Sequence, residues 1–298
     1  MSKTQTAAAA PAERMRASRK AAYLLPTLFT AGNIFLGFLA IIKTIQGALA
    51  VAGGDFGSNS HFEIAAKSIG IAVVLDGLDG RIARMTNTVS DFGKELDSLA
   101  DVITFGIAPA ILSFMWGVQF VNADGTAMAG EQLRQIGYFV VFMYLLCGSA
   151  RLARFNVQAT PPPGKSKPDH RFFVGLPIPA AAGLVAALVY ASNCVPLVHP
   201  LFGFIWLGLV AMISLLMVST WRYISFKDLN LVQPRKPLSL VFFGALIWSI
   251  WNYSQPVLLV IASVYLLSGF ALKGAGIVRR FRRSSSGPEP EAHQQPSA

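Results

Sequence analysis

The sequence predicts an all-α integral membrane protein, a helical bundle of about eight transmembrane helices. Of its 298 residues, 53% are hydrophobic and only 13% are charged, whereas soluble domains average about one quarter charged. Residues 172–221 form a run of fifty positions without Asp, Glu, Lys or Arg, and 237–272 form a second run of thirty-six. A small soluble fold has no surface for such runs, because one bilayer crossing takes only about 20 apolar residues.

Eight apolar segments account for the predicted spans. The arm that precedes the first span, 1–22, is basic and has no apolar stretch, so it is not a secretory signal. Polar or proline-bearing segments at 193–200 and 252–256 divide the two uncharged runs into hairpins, because proline cannot continue a helix without losing a backbone hydrogen bond. The last two spans are short. The predicted spans are 23–43, 63–84, 96–119, 135–155, 172–193, 200–220, 237–252 and 256–272.

The distribution of basic residues predicts that both termini are cytoplasmic. With the amino terminus inside, all but three of the 25 Lys and Arg fall on inside segments, the exceptions being Lys43, Lys67 and Arg134. Positive charge accumulates on the cytoplasmic side of multi-pass membrane proteins. The net charge of +10 is therefore interpreted as a topology signal, strengthened by attraction to anionic membrane lipids, and not as a nucleic-acid-binding surface.

The chain ends and the two cysteines carry no chemistry in this interpretation. Residues 12–22 form either a basic interfacial helix that leads into the first span or a solvated arm. The stretches 2–11 and 284–298 have few large apolar residues and are predicted to be disordered. Cys147 and Cys194 lie in apolar runs and are interpreted as packing residues without a disulfide.

A cluster of acidic residues lies between positions 76 and 101 and holds six of the 15 Asp and Glu. Acids at a membrane edge are costly unless they are paired, hydrated or bound to a cation, so they are functional candidates. Asp76 and Asp79 are three apart at the end of the second span, which places them on one helical face. Asp97 and Asp101, four apart at the beginning of the third span, also share a face. A polar, glycine-containing turn between the spans allows the two faces to meet.

Four convergent carboxylates predict a site for one or two hard divalent cations. Mg²⁺ or Mn²⁺ suits oxygen ligands best, and Mg²⁺ is typically held by carboxylates together with substrate phosphates. The absence of nearby His or Cys argues against zinc. Arg81 and Arg84 follow, and a guanidinium matches phosphate geometry. Small residues among the acids leave backbone open to a ligand, which favours a metal–pyrophosphate pocket; they are Gly77, Gly80, Ala83 and Gly93.

Each of these residues also has a purely structural interpretation. Asp91 and Glu95 are more simply explained as a helix cap or as solvated acids, and Arg81 can face water or headgroups. The glycines can be close-packing positions between membrane helices. The structural interpretation does not explain why the acids occur as two same-face pairs.

The acidic segment also matches a known signature. From Asp76 to Asp101 it follows the pattern DxxDGxxARx8GxxxDxxxD, and in this it resembles the CDP-alcohol phosphotransferase family. Outside this pattern, Thr27 stands where relatives commonly carry Asn, and Thr104 stands where Ser is usual. Five further stretches are similar to the type II phosphatidylserine synthase branch of that family: PTLFTAGNIFLGFLAI at 26–41, ELDSLADVITFGIAPA at 95–110, RLARFN at 151–156, FVGLPIPAAA at 173–182 and SFKDLN at 225–230.

The resemblance implies a six-helix family core, followed here by two more helices. It implies transfer of the phosphatidyl group of CDP-diacylglycerol to the hydroxyl of L-serine, giving phosphatidylserine and CMP. It also implies a homodimer in a bacterial inner membrane, with the active site on the cytoplasmic side. By the same resemblance, Mg²⁺ or Mn²⁺, as two ions, is held by Asp76, Asp79, Asp97 and Asp101, the general base is Asp101, and the nucleotide pocket is shaped by Gly80, Ala83, Arg84 and Gly93.

The acceptor site is expected near the end of the fourth span. Free serine has a carboxylate, an ammonium and a hydroxyl, so its pocket needs a fixed cation and a polar acceptor. Arg151 and Arg154, three apart, are candidates for the carboxylate, with Asn156 beside them. The alternative is that both arginines only anchor the span at the headgroups. Asn33 and Lys227 are weaker candidates.

Four parts are expected along the chain. The parts are a basic arm (1–22), the family membrane domain (23–230), an additional transmembrane hairpin (231–275) and a basic, then disordered tail (276–298).

Two other functions remain open from the sequence. One alternative function keeps the chemistry but uses glycerol 3-phosphate, inositol phosphate or choline as the acceptor. The other is a divalent-cation transporter, which the confinement of the acids to one membrane edge disfavours.

Overall fold

The structure is a computed structural model that describes residues 9–86, 91–121, 127–159, 172–224, 244–245, 248–249 and 252–285. These residues are mostly helical, as predicted. In chain order the elements are α1 (Ala9–Ala52), α2 (Ser60–Thr86), α3 (Asp91–Asp101), a π-helical segment (Val102–Ile107), α4 (Ala108–Gly117), α5 (Ala127–Ala159), β1 (Phe172–Val174), α6 (Ile178–Ala191), α7 (Pro200–Val218), β2 (Arg222–Ile224) and α8 (Ser254–Ser285).

Five helical stretches in the described part of the chain are long and apolar enough to cross a membrane, which agrees with an integral membrane protein. They correspond to the first, third, fourth, sixth and eighth predicted spans. The second predicted span lies in α2, whose uncharged stretch between Lys67 and Asp76 is too short to qualify. The seventh falls almost entirely outside the described residues. The five stretches are Thr27–Ala52, Phe92–Gly117, Gly130–Gln158, Pro200–Val218 and Ser254–Ala271.

The predicted fifth span was wrong at its beginning. Residues 172–174 form a strand, and α6 begins only at Ile178 and has 14 residues. The residue before a proline favours extended backbone, so Pro177 delays the helix. β1 pairs in antiparallel fashion with β2, with Phe173 opposite Tyr223. This short ribbon is the one feature among the described elements that an all-α prediction did not include.

One end of the bundle is closed by contacts between loops that are distant in sequence. Ser58, between α1 and α2, donates a hydrogen bond to the carbonyl of Asn193 at 2.9 Å. The amide of Leu197 donates to the carbonyl of Trp116, the last-turn residue of α4, at 3.0 Å. The turn between α6 and α7, which contains Asn193, was predicted and is confirmed. The opposite ends of these helices, including the end of α2 and the beginning of α3, therefore meet at the other end of the bundle.

The helical alternative for the basic arm agrees with the backbone. Helix α1 begins at Ala9 and continues without interruption into the first span. At the other terminus, α8 includes residues 284 and 285, which were predicted to be disordered, and the rest of that tail lies outside the described residues. Both cysteines are free and buried, as predicted, and burial raises the pKa of Cys194 to about 12.

A π-helical segment follows α3 directly and fixes it against two neighbouring helices. Thr104 in this segment donates its hydroxyl to the backbone carbonyl of Asn33 in α1 at 3.0 Å. The hydroxyl of Tyr144 in α5 donates to the carbonyl of Phe105 at 3.1 Å. Both bonds use carbonyls or hydroxyls that are buried, so the segment is held from two sides. π-Helical turns are rare and are found frequently at functional sites.

Candidate active site

Three of the four predicted carboxylates converge where the end of α2 meets α3. Asp76, Asp97 and Asp101 each offer one carboxylate oxygen, and these three oxygens all lie within 4.8 Å of one another. Asp76 of the first pair therefore meets both members of the second pair across the connection between α2 and α3. Three carboxylates at this separation repel one another unless a cation lies between them.

Asp79 differs from the prediction because it has a partner of its own. The hydroxyl of Thr30 in α1 donates to one carboxylate oxygen of Asp79 at 2.9 Å. Asp79 is buried and lies within electrostatic range of Asp76, Asp97 and Asp101, but it does not belong to the converging group of three. Of the four predicted carboxylates, three therefore converge, and the fourth, Asp79, is bound to Thr30 instead.

Asp101 is the most confined member of the group. Its side chain is 8% exposed, and one of its oxygens, Oδ1, is buried without a hydrogen-bond partner among the described residues. A buried carboxylate without a donor or cation is costly. The donor set, all carboxylate oxygens, matches Mg²⁺ or Mn²⁺, so the residues present fit a divalent metal ion.

Arg151, near the end of α5, is a cation that interacts with this group. It is within electrostatic range of both Asp101 and Asp76. Its Nε atom is buried and has no hydrogen-bond partner in the part of the chain that the structure describes. Arg154 is half-buried, one turn further along α5. Asn156 donates to the hydroxyl of Ser98 in α3 at 2.8 Å and so ties the end of α5 to the acidic helix.

The glycines beside the acids leave space. At Gly77 and Gly80, no described atom lies within 4 Å of the position that a Cβ would take. Both are exposed, so the structure gives no support to a close-packing role for them. The side chains of Ala83 and Arg84 and the whole of Lys227 lie outside the described residues. Gly93 lies in the first turn of α3.

Asn33 is buried, at 2% exposure, and its side-chain oxygen has no hydrogen-bond partner within the described ranges. It lies on the same face of α1 as Thr30, which is three residues earlier. Thr30 was not predicted from the sequence as a partner of Asp79. Two polar residues at helical spacing in an apolar span are unusual and mark Thr30 and Asn33 as candidates, but the sequence does not show which side chain Thr30 contacts. Ser98 was also missed, although it is adjacent to Asp97.

Removal of the Thr30 hydroxyl tests its bond to Asp79. Thr30→Val is expected to lower the free energy of unfolding by about 1–3 kcal/mol, because it leaves a buried carboxylate oxygen without its donor. Thr30→Ser keeps a hydroxyl and is the matched control. Thermal unfolding of the detergent-purified proteins measures both, and a Val variant as stable as the Ser variant would contradict the assigned bond.

The fold and the site define an integral membrane protein with a group of converging carboxylates that could hold a metal ion. Comparison with known families assigns the class. The sequence model described as CDP-alcohol phosphatidyltransferase matches residues 23–221, more than half of the chain. The chain therefore belongs to the CDP-alcohol phosphatidyltransferase family, and the resemblance found in the signature is confirmed.

Individual relatives carry related names. A Helicobacter pylori (strain J99) protein named CDP-diacylglycerol–serine O-phosphatidyltransferase is 36% identical over 208 residues, which is 70% of this chain and 75% of the relative. A Bacillus subtilis protein of the same name is 32% identical over 203 residues, 68% of this chain and 91% of the relative. An archaetidylserine synthase of Methanothermobacter thermautotrophicus is 36% identical over 165 residues, 55% of this chain and 56% of the relative.

Proposed function

We propose that the protein transfers the phosphatidyl group of CDP-diacylglycerol to the hydroxyl of L-serine and releases CMP. The observation that carries this is the convergence of Asp76, Asp97 and Asp101 beside the open backbone of Gly80. The names of the relatives, which refer to serine in bacteria and archaea alike, support serine as the acceptor.

In this proposal, the aspartates described above form the metal site. Asp76, Asp97 and Asp101, with Asp79 beside them, would hold two Mg²⁺ or Mn²⁺ ions. When bound, the ions neutralise the pyrophosphate and stabilise the departing CMP. Thr30 contributes by fixing one oxygen of Asp79, which orients its second oxygen.

Asp101 is the proposed general base. A serine hydroxyl is a weak nucleophile at neutral pH, so a positioned carboxylate must take its proton as the new bond forms. The serine oxygen bonds to the phosphorus nearer the lipid, the bond from that phosphorus to the bridging oxygen breaks, and CMP leaves. Asp101 suits the role because one of its oxygens is buried and without a partner among the described residues.

The nucleotide and acceptor pockets lie on either side of the acids in this proposal. The nucleotide pocket is assigned to Gly80, Ala83, Arg84 and Gly93, and the open space at Gly80 supports backbone contact with a diphosphate. Arg151 is the preferred residue for the serine carboxylate, because its guanidinium is within electrostatic range of Asp101 and has an unused donor in the described structure. Arg154 and Asn156 are assigned supporting places around it.

The topology is part of the same proposal. We infer eight crossings, with both termini and the site on the cytoplasmic side of a bacterial inner membrane, and assembly as a homodimer. Basic residues at the aspartate end of the bundle support this orientation, because Arg81, Lys94, Arg151 and Arg154 all lie there. Cysteine accessibility on intact cells tests the orientation, and the mass of the purified complex tests the dimer.

An acceptor panel tests the reaction directly. Purified protein is given CDP-diacylglycerol with L-serine, glycerol 3-phosphate, inositol phosphate or choline, and CMP release is measured. Of the four acceptors, we expect only L-serine to support CMP release. We expect release to be lost completely when divalent ions are chelated and to recover when Mg²⁺ or Mn²⁺ is returned. Turnover without metal, or with another acceptor and not serine, would refute the proposal.

A further inference from the structure

Helix α8 lies beyond the part of the chain that the family model matches, yet it contacts the site end of the bundle. Its first residues are fixed at the opposite end, where Ser254 shares a 2.7 Å hydrogen bond with the hydroxyl of Tyr190. From there α8 runs back along α6. At the aspartate end, Phe270 packs edge-on against Trp221, with ring centroids 4.7 Å apart. The family comparison, which ends at residue 221, gives α8 no role.

Tyr223, in β2, is buried beneath α8. It is 0% exposed, and its hydroxyl has no hydrogen-bond partner in the described part of the chain. Its ring lies 5.9 Å from that of Tyr265 in α8. The helix can approach this closely because residue 269 is a glycine, where a Cβ would collide with the Tyr223 ring. A buried hydroxyl without a partner costs free energy, which a ligand that accepts its hydrogen bond would recover.

Arg151 connects these tyrosines to the acidic group. Its guanidinium is within electrostatic range of Tyr265 as well as of Asp101, and Tyr265 is within range of Tyr223. Burial raises the pKa of Tyr223, so its phenol stays protonated and can donate a hydrogen bond at neutral pH. The Nε donor of Arg151 and the hydroxyl of Tyr223 have no hydrogen-bond partner among the described residues, and Tyr265 interacts electrostatically with both side chains.

We propose that α8 completes the acceptor pocket, and that the hydroxyls of Tyr223 and Tyr265 bind the carboxylate of the acceptor amino acid together with Arg151. This rests on the proposed function. A carboxylate accepts charge-assisted hydrogen bonds from a guanidinium and from phenols. In serine two carbon atoms separate the carboxylate from the hydroxyl, so the groups that bind the two must lie close together, and Arg151 is within electrostatic range of Asp101. An acceptor without a carboxylate would leave the Tyr223 hydroxyl and the Arg151 Nε atom without the partner that serine supplies, which makes the pocket selective.

Tyr223→Phe tests the proposal because it removes only the hydroxyl and keeps the ring that packs against α8. We expect the KM for L-serine to rise about tenfold or more, as for loss of a hydrogen bond to a charged group. The KM for CDP-diacylglycerol is expected to stay unchanged. Tyr190→Phe is the matched control, since it removes a phenol hydroxyl that holds α8 at the far end of the bundle. That control is expected to leave the serine KM unchanged.

Ethanolamine, which is serine without the carboxylate, separates binding from general damage to the site. The preference for serine over ethanolamine, as a ratio of kcat/KM values, is expected to fall in Tyr223→Phe by the same factor as the serine KM rises. Tyr265→Phe is expected to change both quantities in the same direction, and it decides the matter if Tyr223→Phe does not fold.

Three results would overturn the inference: an unchanged serine KM in the folded tyrosine variant, an equal rise in the KM for CDP-diacylglycerol, or the same rise in Tyr190→Phe. These failures differ from failure of the proposed function. If the wild-type protein releases no CMP with serine, the proposed function is refuted and this inference with it. If the wild type uses serine and the tyrosine variants match it, only the role of α8 is refuted.

Discussion

Asp101→Asn is expected to lower the rate of CMP release from CDP-diacylglycerol and L-serine by about 10²–10⁴-fold, the usual contribution of a general base. The amide has the shape of the carboxylate but does not take a proton from the serine hydroxyl. The substitution also removes one negative charge from the three converging carboxylates, which weakens metal binding and lowers the rate of CMP release as well. The protein should stay folded, because an uncharged amide is easier to bury than a carboxylate.

Asp55→Asn is the matched control for this substitution. Asp55 is exposed in the turn between α1 and α2, at the opposite end of the bundle. Its variant is expected to retain wild-type activity. Substantial turnover by Asp101→Asn would remove Asp101 as the base. Full recovery of that variant at high Mn²⁺ concentration would show that Asp101 acts only as a metal ligand.

Gly37→Ala is expected to destabilise the protein by about 1–3 kcal/mol and to reduce activity strongly, as overpacking does in a tight core. Gly37 lies where α1 meets the π-helical segment, and a Cβ there would be 2.5 Å from the Thr104 hydroxyl and 2.8 Å from the Thr104 Cα. The second atom is backbone, so rotation of a side chain cannot relieve the contact. Because the π-helical segment begins directly after Asp101, any displacement also moves the proposed base.

Gly70→Ala in α2 is the comparison for this effect. No described atom lies within 4 Å of the position of its Cβ. Alanine is favoured over glycine in a helix by about 1 kcal/mol, so this variant should be at least as stable as wild type. Thermal unfolding and CMP release measure both variants. If Gly37→Ala unfolds at the same temperature as Gly70→Ala, the close approach of α1 to the π-helical segment is not important for the fold.

The convergence of the acids was predictable, because it depends on short-range spacing. Intervals of three and four residues place Asp76 with Asp79, and Asp97 with Asp101, on single helical faces regardless of what the helices pack against. The partner of Asp79 was not predictable in the same way. Thr30 is 49 positions away, and only the packing of α1 on α2 brings its hydroxyl to the carboxylate.

The two tyrosines of the proposed acceptor pocket are a second example of contacts that sequence spacing does not predict. Tyr223 and Tyr265 lie 42 positions apart in a strand and a helix that hydropathy alone does not connect. The β ribbon that carries Tyr223 has three residues in each strand, which is too short for a period-two pattern to be recognised. Spacing within one helix therefore indicated which acids share a face, whereas the proposed acceptor side depends on contacts between distant elements.

Hydropathy was also an incomplete guide to which helices face lipid. Most side chains of α6 are buried by other helices, although its composition is as apolar as that of a crossing helix. Helix α2 carries Lys67, Asp76 and Asp79 and is less apolar in composition, yet its side chains Ile71 and Val74 are exposed on the outside of the bundle. Apolar composition predicts residence in a membrane protein, but it does not distinguish contact with lipid from contact with protein.

The exposed backbone at Gly77 and Gly80 has a kinetic consequence. No described residue covers α2 at these glycines, so the lipid-linked nucleotide of the proposed reaction can approach from the side while its acyl chains stay in the bilayer. Encounter then takes place in two dimensions. The rate should follow the mole fraction of the lipid substrate in the membrane or micelle, and dilution with inert detergent should slow turnover even when the bulk concentration is constant.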